Sequence, residues 1–108
     1  MTTTTIATDQ DVATLINVFT VTRETQQPLV DLLVEATEQV MRHRPGFVSA
    51  NIHASLDGTR VVNYAQWRSR DDLQATLDDP TAREHMGAAA ALAPFEPHLY
   101  EVASVHHA

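Results

Sequence analysis

A chain of 108 residues with 44% apolar side chains is long enough to bury the core of one domain. Its formal net charge of −7, without any run of Lys or Arg, argues against nucleic acid and anionic membrane as partners, because both require clustered positive charge. The sequence has no cysteine, which excludes disulfides, thiolate catalysis and zinc–thiolate sites. A reducing cytoplasm is therefore the simplest expected location.

The chain begins with a polar, threonine-rich stretch. Residues 1–12 lack both periodicity and the apolar core of a secretory signal, so we expect a disordered lead-in before a single domain over residues 13–108. The next stretch, Ala13 to Thr22, is apolar and β-branched and predicts a strand. Alternation places four side chains on one of its faces: Leu15, Asn17, Phe19 and Val21. An asparagine inside a strand is unusual, since this residue is depleted there.

A first helix is predicted over Gln27 to His43. Leucine and other apolar residues recur there at helical spacing. Pro28 suits a first helical turn, and Thr25 is placed to cap it. The Pro45-Gly46 dipeptide should end the helix.

The stretch from Gly46 to Trp67 predicts a β-hairpin around Asp57-Gly58, a dipeptide typical of tight turns. The resulting register puts one face of the first hairpin strand beside Asn63 and Trp67; its side chains are Val48, Ala50, Ile52 and Ala54. A mostly apolar wall with one amide and one indole is the usual composition of a small-molecule site. A core asparagine bonded to nearby backbone is the alternative, because an unbonded buried amide costs about 1–3 kcal/mol.

Two further helices and a strand complete the prediction. Ser69 followed by Asp72 predicts a capped helix, and the Asp79-Pro80 dipeptide predicts the start of another. A last strand is expected over His98 to Val105. The order strand–helix–strand–strand–helix–strand is the ferredoxin-like split βαβ pattern of the α+β class.

An antiparallel sheet with helices on one face leaves its second face uncovered. That face is expected to carry Ile16, Val18, Val62 and Tyr64, with Leu99 or Tyr100. Because monomers rarely expose so much apolar surface, we expect a symmetric homodimer with the sheets face to face.

The combination of Asn17, a Pro45-Gly46-Phe47 entry, Asn63 and Trp67 resembles the antibiotic biosynthesis monooxygenase family. The resemblance extends from Leu15 to about Val102. The run HASLDGTRVVNYAQW is most similar to the cofactor-free anthrone oxygenases of aromatic polyketide pathways. This resemblance implies a dimeric α/β barrel that oxidises a polycyclic anthrone to a quinone with O₂. No metal, flavin or haem would be needed.

The resemblance also implies a set of site residues. The catalytic positions fall on Asn17, Asn63 and Trp67. The anthrone oxygenases carry tyrosines where Ile52 and Leu73 stand, so a more apolar pocket is expected here. The expected substrate-binding side chains are Phe19, Ile52, Leu73 and His85.

Two alternatives remain open. Haem-degrading monooxygenases of the same superfamily resemble this chain at Asn17 and Trp67, and they place a haem-ligating histidine near His85; that activity would require haem. A non-catalytic small-molecule binding protein could use the same wall, since one fold supports many functions. Substrate turnover separates an enzyme from a binder.

Overall fold

The computed structural model of the protein describes residues 3–108; Met1 and Thr2, the start of the predicted lead-in, lie outside the described residues. The elements are β1 (Ala13–Thr20), α1 (Arg23–Gln39), a 3₁₀ turn (Met41–His43), β2 (Phe47–Ala54), β3 (Arg60–Trp67), α2 (Arg70–Leu77), α3 (Pro80–Leu92) and β4 (Phe95–Tyr100). The strands form one antiparallel sheet in the order β2-β3-β1-β4. The predicted ferredoxin-like α+β class is confirmed.

Helix α1 begins earlier than the sequence predicted. Its N-cap is Thr22, whose hydroxyl accepts a hydrogen bond from Thr25 N at 3.2 Å, while Thr25 Oγ1 accepts one from Thr22 N at 2.9 Å. This reciprocal cap fixes the first turn, so Pro28 lies inside the helix instead of in its first turn. The helix ends at Gln39, and a 3₁₀ turn replaces its predicted last residues. The predicted helix is present, but Thr25 as its cap and the bounds Gln27 to His43 were wrong.

The hairpin register agrees with the prediction up to a bulge. Ala54 pairs with Val61 and Ile52 with Asn63. The register then shifts, so that Phe47 and not Val48 pairs with Trp67, and Val48 is exposed. The placement of Val48 on the Trp67 face was therefore wrong. A β-bulge inserts one residue in one strand and so moves the next side chain to the other face.

Close backbone approach explains the glycine at the entry to the hairpin. Gly46 has φ +86°, and Arg68 N donates to its carbonyl at 2.7 Å. A Cβ at Gly46 would lie 2.4 Å from the Cβ of Asp72, which real side chains do not allow. The Asp72 backbone N–H in turn donates to Ser69 Oγ at 3.1 Å, so the predicted cap of α2 is present beside the hairpin.

Strand β4 also differs from the prediction. It covers Phe95–Tyr100, whereas His98 to Val105 was expected. It pairs with β1 from Phe19↔Phe95 to Thr14↔Tyr100 and lies at the sheet edge. Pro97 is inside the strand; a proline, which has no N–H to donate, is tolerated on an edge strand because one side of such a strand makes no ladder bonds.

The core consists of two clusters between the sheet and the helices. The first joins the Phe19 end of β1 and the Val61 end of β3 to α1 and α3; its buried members are Phe19, Val21, Leu29, Val61, Ala89 and Ala93. The second lies at the other end of β3, against α2, and contains Ala65, Trp67 and Leu73. Each large apolar side chain buried this way contributes roughly 1.5–3 kcal/mol, which holds the helices on the sheet.

The opposite face of the sheet carries no helix within residues 3–108, and we call it the open face. Ile16 pairs with Tyr64 and Val18 with Val62, so the predicted apolar side chains share this face. Tyr100 joins them, since it pairs with Thr14, whereas Leu99 pairs with Leu15 and belongs to the helix-covered side.

Residues 3–12 form an irregular segment that reaches the open face. Gln66 Nε2 donates to Thr5 O at 2.7 Å, and Thr4 Oγ1 donates to Asn51 Oδ1 at 2.9 Å. The segment thus supplies hydrogen-bond partners to polar side chains of β2 and β3. The division into a disordered lead-in and a domain over residues 13–108 stays a prediction.

Candidate functional site

Two asparagines occupy the same position on the two central strands. Asn17 of β1 lies directly opposite Asn63 of β3. On the outer strands, Pro97 of β4 pairs with Asn17, and Ile52 of β2 pairs with Asn63. Facing side chains in an antiparallel pair have Cβ atoms about 4.5–5.5 Å apart, so the two amides are neighbours. We call Asn17 and Asn63 the amide pair. It lies between the two core clusters, with Phe19 and Val61 on one side and Leu15 and Ala65 on the other.

Asn17 and Asn63 are half-buried, and their carbonyl oxygens are fully buried and unsatisfied within the described residues. Neither Asn17 Oδ1 nor Asn63 Oδ1 has a hydrogen-bond partner among residues 3–108. Leaving a buried acceptor unbonded costs about 1–3 kcal/mol, and most buried polar groups avoid this cost. Two such groups side by side are unusual in a core and make this pair a candidate functional position. Residues 3–108 thus offer no partner to these oxygens of the kind expected for a structural core asparagine.

A cavity of about 490 Å³ lies above the amide pair, between the sheet and the helices. This volume is within the range of about 300–1,000 Å³ that small-molecule sites occupy. Six of the seven side chains predicted for the site line it: Asn17, Phe19, Asn63, Trp67, Leu73 and His85. Ile52 packs instead against the first core cluster, beside the amide pair but outside the cavity wall as described.

Aromatic rings form the two ends of the cavity. Trp67 meets Phe47 edge to face, with ring centroids 5.4 Å apart and planes at 89°. Phe19 and Phe95 lie with centroids 5.6 Å apart. Aromatic walls of this kind provide flat apolar surfaces for a polycyclic ring system. The cavity therefore suits a flat aromatic ligand with oxygen substituents that reach the amide pair.

The sequence did not predict every residue of the wall. Phe47 reaches the cavity because of the bulge, which has no clear sequence signal. Thr76 of α2 also lines it, and its spacing from Leu73 and Leu77 could have revealed this, because residues three or four apart share one helix face. Gln74, Asp78 and Arg83 add polar groups to the wall.

Neither a metal cluster nor a membrane-spanning helix is found in the described part of the chain. No group of three or more His, Asp or Glu side chains within residues 3–108 is placed to hold a metal ion. No helix in that range is both long enough and apolar enough to cross a bilayer.

The chain is similar to known monooxygenases over most of its length. The chain is 47% identical to tetracenomycin-F1 monooxygenase from Streptomyces glaucescens over 98 residues, which are 91% of this chain and 88% of that protein. The ActVA-Orf6 monooxygenase of Streptomyces coelicolor, solved with nanaomycin D, is 30% identical with a TM-score of 0.77 over 91% of this chain and 92% of its own.

A second solved structure shows the same fold at lower identity. SnoaB, a cofactor-independent oxygenase from Streptomyces nogalater, is 24% identical with a TM-score of 0.76, and the match covers 89% of this chain and 97% of that one. Residues 13–88 match the family model described as antibiotic biosynthesis monooxygenase. The resemblance seen in the sequence is confirmed: this chain is a monooxygenase that belongs to the antibiotic biosynthesis monooxygenase family.

Proposed function

We propose that this protein is a cofactor-independent oxygenase that converts an anthrone-type aromatic polyketide to the corresponding quinone with O₂. The names of its relatives support the reaction class, since they are oxygenases connected with tetracenomycin F1 or nanaomycin D. The cavity supports the substrate class, because its walls are aromatic and its volume fits a compound of a few fused rings.

The amide pair is the observation that carries this proposal. Each side-chain amide can accept a hydrogen bond through Oδ1 and donate two through Nδ2. The carbonyl oxygens are covered and unbonded within the described residues, so contact with the ligand falls to the NH₂ groups. The NH₂ groups can donate to an enolate or peroxide oxygen as negative charge develops there. Fixed donors in a water-poor site stabilise such charge by a few kcal/mol, about 10²–10³ in rate.

The proposed reaction needs no external reductant. Loss of a proton from the ring methylene gives a carbanion, which passes one electron to O₂. The radical pair recombines into a carbon–oxygen bond, and protonation gives a hydroperoxide. Loss of water then leaves a carbonyl, so that one oxygen atom enters the quinone and the other leaves as water. All four electrons come from the methylene carbon.

The other site residues take supporting roles in the proposal. Trp67 orients the ring system by contact with its aromatic face, and Phe19 and Leu73 contact its edges. His85 of α3 lies in the cavity wall and can accept the methylene proton. Ile52 acts indirectly by packing beside the amide pair.

We also propose that the protein is a homodimer formed through the open face. Val18 and Val62 lie side by side there, as do Ile16 and Tyr64, and these side chains are only partly buried in one chain. Tyr100 extends the same surface and is 48% exposed. A second copy of the same apolar face would cover it by two-fold symmetry. The cysteine-free composition supports action in the cytoplasm.

Oxygen uptake tests the proposed function. Chelator-treated, haem-free protein is given a simple tricyclic anthrone, and O₂ consumption is followed together with quinone absorbance. We expect one O₂ consumed per quinone formed, at a rate well above spontaneous oxidation. Absence of acceleration would contradict the proposal.

A haemin titration tests the alternative enzyme. If the protein were a haem-degrading oxygenase, haemin would produce a shifted Soret band that is lost in His85→Ala, and anthrone turnover would be absent. Binding of anthrone without turnover would instead indicate a carrier.

A further inference from the structure

The irregular segment over residues 3–12, which we call the N-terminal segment, covers one end of the open face. Gln66 and Thr14 pair across β3 and β1 at this end. They are 1% and 3% exposed, although no helix of the described chain lies on this face. Gln66 Nε2 donates to Thr5 O at 2.7 Å, so the backbone of the N-terminal segment lies directly on this buried end of the sheet.

The rest of the open face is less covered. A second anchor, from Thr4 Oγ1 to Asn51 Oδ1 at 2.9 Å, holds the N-terminal segment against β2. Four apolar side chains of the same face are only half-buried: Ile16, Val18, Val62 and Tyr64. The open face therefore has two parts, one that carries a length of chain and one that presents apolar side chains.

Ile6 is the one large apolar side chain among residues 3–11, and it is 50% exposed. It follows Thr5 directly, so it lies where the N-terminal segment crosses the sheet. A single exposed isoleucine is ordinary on a protein surface. This one borders the apolar face that is proposed to meet a second copy of the chain, and that continuity indicates the second copy as its partner.

The spacing of packed sheets determines what the second copy can contact. Two sheets that pack face to face lie about 10 Å apart. A length of chain lying on one sheet fills that layer, so the sheet of the second copy cannot reach the Gln66 end of the open face directly. It contacts the N-terminal segment there, while the apolar side chains of the two faces meet across the remaining area.

We propose that the N-terminal segment is part of the dimer interface, in which the Ile6 side chain of each protomer is covered by the second copy of the chain. This inference rests on the proposed homodimer and names a further part of its contact surface. By two-fold symmetry each dimer contains this contact twice, so a change at Ile6 acts twice on the stability of the dimer.

An introduced thiol tests whether the second copy covers this position. The natural sequence has no cysteine, so Ile6→Cys carries a single thiol per chain. Its alkylation by N-ethylmaleimide is followed by mass spectrometry in two backgrounds: the otherwise unchanged chain, and Val62→Lys, which places a charge in the apolar part of the interface. Light scattering gives the oligomeric state of each protein. We expect slow alkylation in the dimer and severalfold faster alkylation in the monomeric Val62→Lys background.

Leu56→Cys is the matched control for thiol reactivity. Leu56 is fully exposed and lies in the hairpin loop between β2 and β3. Its replacement by cysteine should give fast alkylation at the same rate in both backgrounds. Equal rates for Ile6→Cys in the dimer and the monomer, whether fast or slow, would overturn the inference, because the second copy would then add no cover.

Dimer affinity provides a second test. Ile6→Ser removes a half-exposed apolar side chain from both protomers and should raise the dissociation constant of the dimer about ten- to a hundredfold. Leu56→Ser should leave this constant unchanged. Sedimentation velocity over a dilution series measures both variants. An Ile6→Ser dimer as tight as the wild type would overturn the inference.

The inference and the proposed function fail differently. If the wild type is a dimer but Ile6→Cys is alkylated equally in both backgrounds, only the role of the N-terminal segment is wrong. If the wild type is a monomer, or if Val62→Lys remains a dimer, the proposed interface is wrong and the inference with it. Oxygen uptake with an anthrone tests the oxygenase activity independently of these results.

Discussion

The two faces of the central strands treat their amides in opposite ways. On the open face Gln66, 1% exposed, accepts from Ser49 Oγ at 2.8 Å and donates to Thr5 O at 2.7 Å. Asn51 on that face accepts from Thr4 and donates to Tyr64 O at 3.2 Å. On the helix-covered face the carbonyl oxygens of Asn17 and Asn63 find no partner in the region described.

The amides of the two faces therefore have different consequences: those on the open face contribute to stability, and those on the helix-covered face belong to the proposed site. Satisfied amides on the open face hold the irregular segment over residues 3–12 and contribute to folding. The amide pair lowers stability, because each unbonded buried oxygen costs on the order of 1–3 kcal/mol. Other buried atoms bear the same cost, Thr14 Oγ1 on the open face among them, so it is the place of the amide pair in a cavity wall that supports a role in ligand binding. Substitutions on the two faces should therefore have different consequences.

The largest expected effect comes from the amide pair. Asn17→Ala and Asn63→Ala together should lower kcat/KM for anthrone oxidation by about 10²–10³, because preorganised hydrogen-bond donors to the developing charge are lost. The two amides are paired across β1 and β3, so we expect both to act on the same bound oxygen. Steady-state kinetics of the two single variants and the double variant should show a double loss smaller than the product of the single losses. A strictly multiplicative loss would contradict a shared contact.

A charge on the open face should break the dimer without changing the cavity. Val62→Lys places a cation beside Val18 in the proposed apolar interface, and burying an unpaired charge there is costly. Size-exclusion chromatography with light scattering at micromolar concentration should give a dimer for the wild type and a monomer for the variant. Leu56→Lys is the control, since Leu56 is fully exposed in the hairpin loop and should leave the dimer intact. A monomeric wild type would contradict the proposed interface.

Gln66→Leu and Asn63→Leu should affect the free energy of unfolding differently. Gln66→Leu should lower the free energy of unfolding by about 1–3 kcal/mol, because the Ser49 hydroxyl and the Thr5 carbonyl lose their partner. Asn63→Leu should leave it unchanged or raise it, since Asn63 Oδ1 has no bond to lose within residues 3–108. Denaturant unfolding of both variants measures the difference. A large destabilisation by Asn63→Leu would contradict the assignment of an unsatisfied amide.

Trp67→Phe should have a smaller effect on the cavity face. A phenyl ring keeps the aromatic character but covers less of a polycyclic ligand. It also makes a smaller edge-to-face contact with Phe47. We expect ligand affinity to fall about three- to tenfold, as for the loss of part of one aromatic contact. Inhibition by a hydroxyanthraquinone measures this, because the variant has no tryptophan fluorescence. An unchanged inhibition constant would remove Trp67 from the substrate contacts.

The smallest effect belongs to the hairpin loop, which lies outside both faces. Hydrogen bonds from the Thr59 hydroxyl at 2.7 Å, the Thr59 backbone N–H and the Ser55 hydroxyl lower the pKa of Asp57 from 3.8 to about 2. A lowered pKa means that the carboxylate stabilises the folded loop above pH 3.8, and that this contribution is lost as the pH falls toward 2. Carboxyl-carbon NMR should show the Asp57 midpoint near 2. Thr59→Val should raise it, and an unmoved midpoint would contradict the assigned cause.

Periodicity predicted the parts of the structure that depend on alternation alone. The alternation of β1 and β3 placed Asn17, Asn63 and Trp67 on one face, and the register of these strands agrees. The Asp57-Gly58 turn fixed the hairpin register as far as Ala50. The catalytic and substrate-binding roles of these residues stay a prediction.

Other features depend on contacts that no local pattern contains. The bulge that exchanges Val48 for Phe47 occurs where Gly46 approaches α2, so it results from tertiary packing. The extent of β4 is set by its pairing with β1, which overrides the boundary suggested by Pro97. The hydrogen bonds of Thr5 join residues far apart in sequence. The sequence could have predicted Thr76 as a residue of the cavity wall, because it lies on the same face of α2 as Leu73 and Leu77.

The central claim is tested most directly by oxygen uptake in two matched variants, Asn63→Ala and Asn51→Ala, under the conditions in which the wild type oxidises an anthrone. The two asparagines lie on neighbouring strands of the same sheet but on opposite faces. We predict that Asn63→Ala loses about 10²-fold in rate with an unchanged melting temperature. Asn51→Ala should melt lower yet keep its rate. A fully active Asn63→Ala, or an equal loss in both variants, would contradict the account.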